Sequence, residues 1–162
     1  MTARHKKAAG MFFAAAALAA IVFIFSNSLQ PAEISGAVSG GMLNVINTWL
    51  DAHGFITISE HFLRKCAHLC EFGVLGMLLS SAVFLLAPPA AREIARFASA
   101  LSAAAAVAIC DETIQDFVPG RACLVTDMLI DTLGAALGCT AIMIFIAFLR
   151  RHRKDRKKRH GD

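Results

Sequence analysis

The sequence predicts an all-α membrane protein: a four-transmembrane-helix bundle with an interfacial amphipathic helix in its first outer loop. Three observations point there. Of 162 residues, 57% are hydrophobic even without counting glycine, above the roughly 45–50% of a soluble domain. The apolar residues collect into four runs, and a helix needs about 20 of them to cross the hydrocarbon of a bilayer. The basic residues collect at the two ends, with Arg4, Lys6 and Lys7 near the start and "RRHRKDRKKRH" (150–160) near the close.

The first run, 8–32, contains "MFFAAAALAAIVFIF" and no charge before Glu33. A secretory signal is the competing reading. Ser26-Asn27-Ser28 makes a poor cleavage site, so a retained span is expected. The second run is 72–91, the third 97–110 between Arg96 and Asp111, and the fourth 132–149. "APPAARE" (87–93) joins the second and third, and Pro88-Pro89 breaks the helix there. Basic residues favour the cytoplasmic flank, so both termini and Arg92 are expected inside. The organisation expected is 1–9 as a basic cytoplasmic N-terminus, 10–149 as the membrane domain and 150–162 as a basic cytoplasmic tail. The protein is thus expected to be multi-pass in the cell (cytoplasmic) membrane. Directly after an apolar helix, such a tail reads as a membrane flank touching anionic lipid rather than as a nucleic-acid site.

The first outer loop, 26–60, has organisation of its own. "SGAVSGG" (35–41) reads as flexible. Met42, Val45, Ile46, Trp49 and Leu50 then repeat at helical spacing opposite Asn44, Asn47 and Asp51. This amphipathic helix lies in the interface with Trp49 as anchor, or packs as a lid over the bundle. Thr57-x-x-Glu60 reads as a capping box opening the next helix.

The five cysteines are an odd number lying mostly in apolar runs, which suits packing rather than a disulfide framework. Cys66 and Cys70 flank His68, but residues two apart on a helix point about 200° from each other, so these three do not share a zinc ion.

Ionisable residues are the informative feature. Counting about 20 residues back from Pro88 reaches His68, from Arg92 reaches Glu112, and from Arg150 reaches Ile130 beside Asp131. Three helices thus carry their charges at one depth, near the outer surface. Arg64, His68 and Glu71 share one helix face, Asp111 and Gln115 are four apart, and so are Asp127 and Asp131. "FVPGR" turns Arg121 back to the same level. Ionisable groups in a membrane usually face the bundle interior or a wet cavity and mark function. The bland alternative is that Arg64, His68 and Arg121 merely pair with carboxylates and hold the helices together, although desolvation makes such pairs poor glue. Small residues such as Gly134 and Gly138 would do that job more cheaply. Glu33, Asp51 and Glu93 read as solvated.

These stretches, "RKCAHLCEF" and "DETIQDFVPGRACLVTDMLIDTLGAALG", with "FSNS" (25–28) at the end of the first span, resemble the VanZ-like membrane proteins over most of residues 10–149. The family's pattern falls on Arg64, Lys65, His68 and Glu71, then on Asp111, Glu112, Gln115, Phe117, Pro119, Gly120 and Arg121, then on Asp127 and Gly134. Phe72 stands where tyrosine is usual, and Asp131 where asparagine is usual, which adds a negative charge. The resemblance implies a cell-envelope protein, in a family whose namesake is linked to low-level teicoplanin resistance; it implies no accepted reaction.

Two functional readings stay open. As a binding module, the site would hold an anionic lipid headgroup or the phosphate of a lipid-linked envelope precursor through Arg64, Lys65, Gln115 and Arg121, with Asp127 and Asp131 completing it. As an enzyme acting on a phospho- or diphospho-lipid, it would use His68, Glu71, Asp111 and Glu112 as nucleophile, acid and base. No zinc signature, phosphate loop or nucleophile elbow is present, so catalysis ranks second to binding, and no resident cofactor is expected. Mg²⁺ held by several carboxylates against a diphosphate is the exception kept open.

Overall fold

The computed structural model describes residues 2–88 and 90–159, with only the backbone at 153–155 and 157–159. Pro89, half of the expected helix break, and 160–162, the end of the basic tail, lie outside the described residues. The described chain is five helices: α1 (Ala3–Ser28), α2 (Ala32–Ala52), α3 (Glu60–Leu86), α4 (Glu93–Asp116) and α5 (Val125–Arg159). Four of them, all but α2, contain a segment long and apolar enough to cross a membrane. Among the described residues there is no strand.

The three later spans are longer than their apolar runs because each continues through the polar motif beside it. α3 begins at Glu60, twelve residues before its apolar run, and α4 runs through Asp111 to Asp116. The N-cap of α3 is Ser59, whose Oγ accepts the Phe62 N–H at 3.2 Å, and not the expected Thr57. The reason is local. The Asn47 side chain holds both backbone groups of Ile58 at 2.9 Å, accepting its N–H and donating to its carbonyl. That pins residue 58 outside any helix, so the cap falls on Ser59, two residues after Thr57, and the helix starts at Glu60.

α2 corrects a second expectation. Residues 35–41 are helical throughout, despite three glycines at 36, 40 and 41, each costing about 1 kcal/mol against alanine in a helix interior. Ile34, Val38, Met42, Val45 and Trp49 extend the apolar stripe back across this segment. All five are more than half exposed, which suits a helix lying in a membrane interface. Trp49 stacks on His53 with ring centroids 4.3 Å apart. At its start, the Ala32 N–H donates to the Pro119 carbonyl at 3.3 Å. Gly120 beside it has φ +76°, and a Cβ there would meet the Ala32 Cβ at 2.9 Å. The VPGR turn therefore requires glycine both for its backbone and for this approach.

α3 sits centrally, packed on α1, α4 and α5. The contacts fix its direction. Gly10 meets Leu85 and Leu86, while Asn27 reaches Glu71, so α1 and α3 are antiparallel. Gly134 meets Leu69 and Gly138 meets Gly73, so α3 and α5 are parallel, as the second and fourth spans of an alternating bundle must be. At this seam a Cβ on Gly76 would strike the Ala135 backbone, and one on Gly134 or Gly138 would strike a carbonyl of α3. Small residues let the backbones meet where lipid supplies no hydrophobic drive. Gly138→Val is expected to destabilise the protein by about 1–3 kcal/mol, seen as a lower unfolding temperature in detergent. Thr140→Val, on an exposed position two residues on, should change it little.

The core is inside-out. Large apolar side chains such as Leu129, Leu133 and Leu137 form an exposed stripe at four-residue spacing on α5, a face suited to lipid. Ala100, Ala104 and Ala108 are buried on α4, and the same stripe then carries Asp111 and Gln115, also buried. At the opposite end, Glu93 is not merely solvated: it accepts from Arg150 at 2.9 Å and from Arg96 at 3.4 Å. Both guanidinium groups sit over the Phe84 ring, at 5.0 and 5.2 Å.

Candidate functional site

The ionisable residues meet where the four spans approach the α4–α5 turn. A cavity of about 580 Å³ opens there. Arg64, Lys65, His68 and Glu71 line it from α3, Gln115 from the end of α4, Arg121 from the turn and Asp127 from α5. α2 closes one side with Ser35, Val38, Ser39 and Met42, so the amphipathic helix both exposes an apolar face and walls the cavity. Asp111, Glu112 and Asp131 lie at 1% exposure or less and do not line the cavity; they form the layer behind it. All ten residues singled out from the sequence therefore fall in or directly beneath one region.

Within this region the partners differ. Lys65 Nζ and Asp127 Oδ1 form an ion pair at 2.7 Å that ties α3 to the first turn of α5. Asp127 is also placed where a helix N-terminus favours negative charge. Glu112 has a structural task. Its Oε2 accepts the Leu124 N–H at 2.9 Å, just before α5 begins, and its Oε1 accepts from Gln115 at 3.3 Å. Gln115 Nε2 also donates to Asp111 Oδ2 at 2.9 Å and reaches Ser28 Oγ at 3.4 Å. Gln115 is thus the hub that orients the two neighbouring carboxylates.

Two side chains in this network lay in the quoted "FSNS" stretch but carried no role in the sequence reading. The Asn27 amide donates to Glu71 Oε1 at 3.3 Å, and its backbone carbonyl accepts from Arg121 at 3.2 Å. Ser28 is buried at 1% exposure. A polar Ser-Asn-Ser closing an apolar span was the available signal. Phe72, in the place of a tyrosine, is fully buried in the apolar core.

The cationic side of the cavity is underpaired. Among the described residues, neither Arg64 nor Arg121 has a carboxylate within ion-pair distance, and Arg121 Nε is buried without a partner. Burial lowers the Arg121 pKa from its ordinary value and the Arg64 charge lowers it further, while Asp111 and Glu112 act the other way. A guanidinium stays charged regardless, so Arg121 presents a positive charge to the cavity.

The acidic side is underpaired as well. His68, Asp111 and Asp131, from α3, α4 and α5, bring one ligand-type atom each to within 4.8 Å of one another. His68 Nδ1 lies 3.7 Å from Asp131 Oδ1, beyond a hydrogen bond. The arrangement can therefore hold an anion at its mouth, and a cation or a mobile proton at its floor.

Comparison with curated proteins and comparison with solved structures both return no match. A family model described as VanZ/LLP1 matches residues 13–147, a stretch that contains the whole polar layer, and on that match the chain belongs to the VanZ/LLP1 family.

Proposed function

We propose that this protein binds the phosphate of a lipid-linked envelope precursor, or an anionic lipid headgroup, in the cavity between α2, α3 and the α4–α5 turn. One observation carries the reading: two arginines from different elements, Arg64 and Arg121, line one cavity without carboxylate partners among the described residues. Guanidinium groups match phosphate oxygens in geometry as well as charge. The surrounding cavity, about 580 Å³, is in the size range of ligand sites. The exposed apolar stripe of α2 beside it supports entry from the interface, where a lipid's headgroup meets its chains. Basic residues at both termini favour a cytoplasmic position for those ends by the positive-inside rule, which supports a cavity facing outward in the cytoplasmic membrane. Holding a precursor there is how the protein would affect glycopeptide susceptibility.

Structural glue is the weaker reading. A cluster built to bind helices together would pair its members, because an unpaired buried charge is costly. Here His68 Nδ1, Asp111 Oδ1, Arg121 Nε and both Asp131 oxygens are buried without hydrogen bonds.

The test separates binding from chemistry. Purified protein is incubated with undecaprenyl phosphate, undecaprenyl diphosphate and the lipid-linked disaccharide precursor. Binding is followed by native mass spectrometry and the recovered lipids are weighed. Retention of one lipid at unchanged mass is the expected result. Loss of a phosphate or headgroup, abolished by His68→Ala or Asp111→Asn, would replace the binding module by a membrane-embedded hydrolase or transferase. Retention of none would remove the substrate class.

A further inference from the structure

We propose that His68, Asp111 and Asp131 form a divalent-cation site at the floor of the cavity, with one imidazole and two carboxylates contributed by three helices, suited to Mn²⁺ or Zn²⁺ more than to Mg²⁺ or Ca²⁺. The first support is geometry. One ligand-type atom from each residue falls within 4.8 Å of the other two. A metal bound at about 2.1 Å to each ligand needs those atoms roughly 3.0–4.2 Å apart, so side-chain adjustments of less than about 1 Å close the site. No short sequence spacing announces it, because each helix gives a single ligand.

The second support is independent of distance. Asp111 and Asp131 have no exposed surface. Asp111 Oδ1, both Asp131 oxygens and His68 Nδ1 are buried without hydrogen-bond partners. Buried polar atoms are nearly always paired. A simple His68–Asp131 ion pair, at 3.7 Å, would still leave Asp111 Oδ1 and Asp131 Oδ2 with nothing. A cation among the three gives each residue a partner through one ligand atom, and the second Asp131 oxygen is also satisfied if that carboxylate binds through both oxygens.

The third support is charge. The layer holds five carboxylates, Glu71, Asp111, Glu112, Asp127 and Asp131, against the fixed cations of Arg64, Lys65 and Arg121. With all five ionised, one divalent ion makes up the difference of two. The surrounding contacts are those a ligand set needs. Gln115 Nε2 donates to Asp111 Oδ2 at 2.9 Å, which fixes that carboxylate, the usual task of an outer-shell partner, and leaves its buried Oδ1 without a partner. Imidazole beside carboxylates favours transition ions over Mg²⁺ and Ca²⁺, which prefer oxygen alone. His68 also lines the cavity, so the ion's remaining positions face it. Where the phosphate reading holds, a phosphate oxygen occupies one of them; that detail rests on the reading above, whereas the cation site does not.

The experiment contains no phospholipid precursor, so its failure and the failure of lipid binding are distinguishable. Tag-free protein in detergent is stripped with chelator and titrated with Mn²⁺, which thiols such as Cys66 and Cys70 bind weakly. Expected are one Mn²⁺ per chain, an unfolding temperature that rises with Mn²⁺ concentration, and a nitrogen coupling in the Mn²⁺ electron spin-echo spectrum. Asp131→Asn and His68→Gln should weaken Mn²⁺ binding by about tenfold or more, the second also removing the nitrogen coupling. Asp51→Asn, an exposed acid on α2, should leave both unchanged. Absence of stoichiometric Mn²⁺ binding with no change in unfolding temperature would overturn the site. So would binding that survives both substitutions. Should either variant fail to fold, the wild-type nitrogen coupling and temperature shift decide alone.

Discussion

Arg121→Ala is expected to reduce binding of the phosphorylated lipid by about 10–100-fold while leaving the protein folded in the membrane. A hydrogen bond to a charged group is worth about 1.5–3 kcal/mol, and each 1.4 kcal/mol is tenfold in affinity. Arg121 sits at the cavity with one bond to the Asn27 carbonyl at 3.2 Å, so its loss frees one backbone acceptor but exposes no buried carboxylate from an ion pair. The turn itself is held by backbone contacts, including the residue 121 N–H to the Val118 carbonyl at 3.1 Å, and these survive the substitution. Arg121→Lys should fall between wild type and alanine, because it keeps the charge and loses the fork. Raising salt should weaken binding in the wild type more than in Arg121→Ala, since exposed charges are screened over about 10 Å at 0.1 M. Affinity measured by native mass spectrometry, with circular dichroism as the check on folding, reads all of this. Equal affinity in wild type and Arg121→Ala would mean the lipid is held elsewhere.

That the polar residues share one level of the bundle was legible because membrane thickness serves as a ruler along each helix. Counting inward from Pro88, Arg92 and Arg150 located His68, Glu112 and Asp131 on three separate helices, and the fold brings His68, Asp111 and Asp131 within 4.8 Å. Which carboxylate does what was not legible. Asp111 and Glu112 are adjacent in sequence, yet one faces the buried trio and the other caps the approach to α5 through Leu124. That difference depends on where the α4–α5 turn returns, which no helical period encodes. The helix over residues 35–41 was missed for a related reason. Glycine propensity argued against it locally, while the apolar stripe from Ile34 to Trp49 and the docking of Ala32 on Pro119 act over longer range. The start of α3 moved to Ser59 because Asn47, eleven residues earlier, holds Ile58. Local cap patterns cannot register such a clamp.

The orientation of the bundle gives the second large effect, an all-or-none one. A single cysteine at Asp51, on the exposed end of α2, is expected to react with a membrane-impermeant maleimide in intact cells. A single cysteine at Arg156, on the exposed end of α5, should react only after the cells are opened. Both are placed in a background with the five native cysteines replaced, Cys139 by alanine because its thiol is buried and donates to the Gly76 carbonyl at 3.3 Å. The expectation follows from charge placement. Arg4, Lys6 and Lys7 precede the first span, Arg92 and Arg96 lie at the α3–α4 connection, and Arg150 with Arg151 follows the last. Four spans bring all three groups to one side: Arg96 and Arg150 meet on Glu93 and Phe84, and Lys6 and Lys7 line one cleft with them. Basic flanks are retained in the cytoplasm. With that orientation the cavity, at the opposite end of the same helices, would meet the outer leaflet, the side from which the proposed lipid-linked ligand would reach it. Labelling at Arg156 with protection at Asp51 would turn the cavity toward the cytoplasm. The proposed anion site would survive that result, but the proposed ligand would have to come from the inner leaflet.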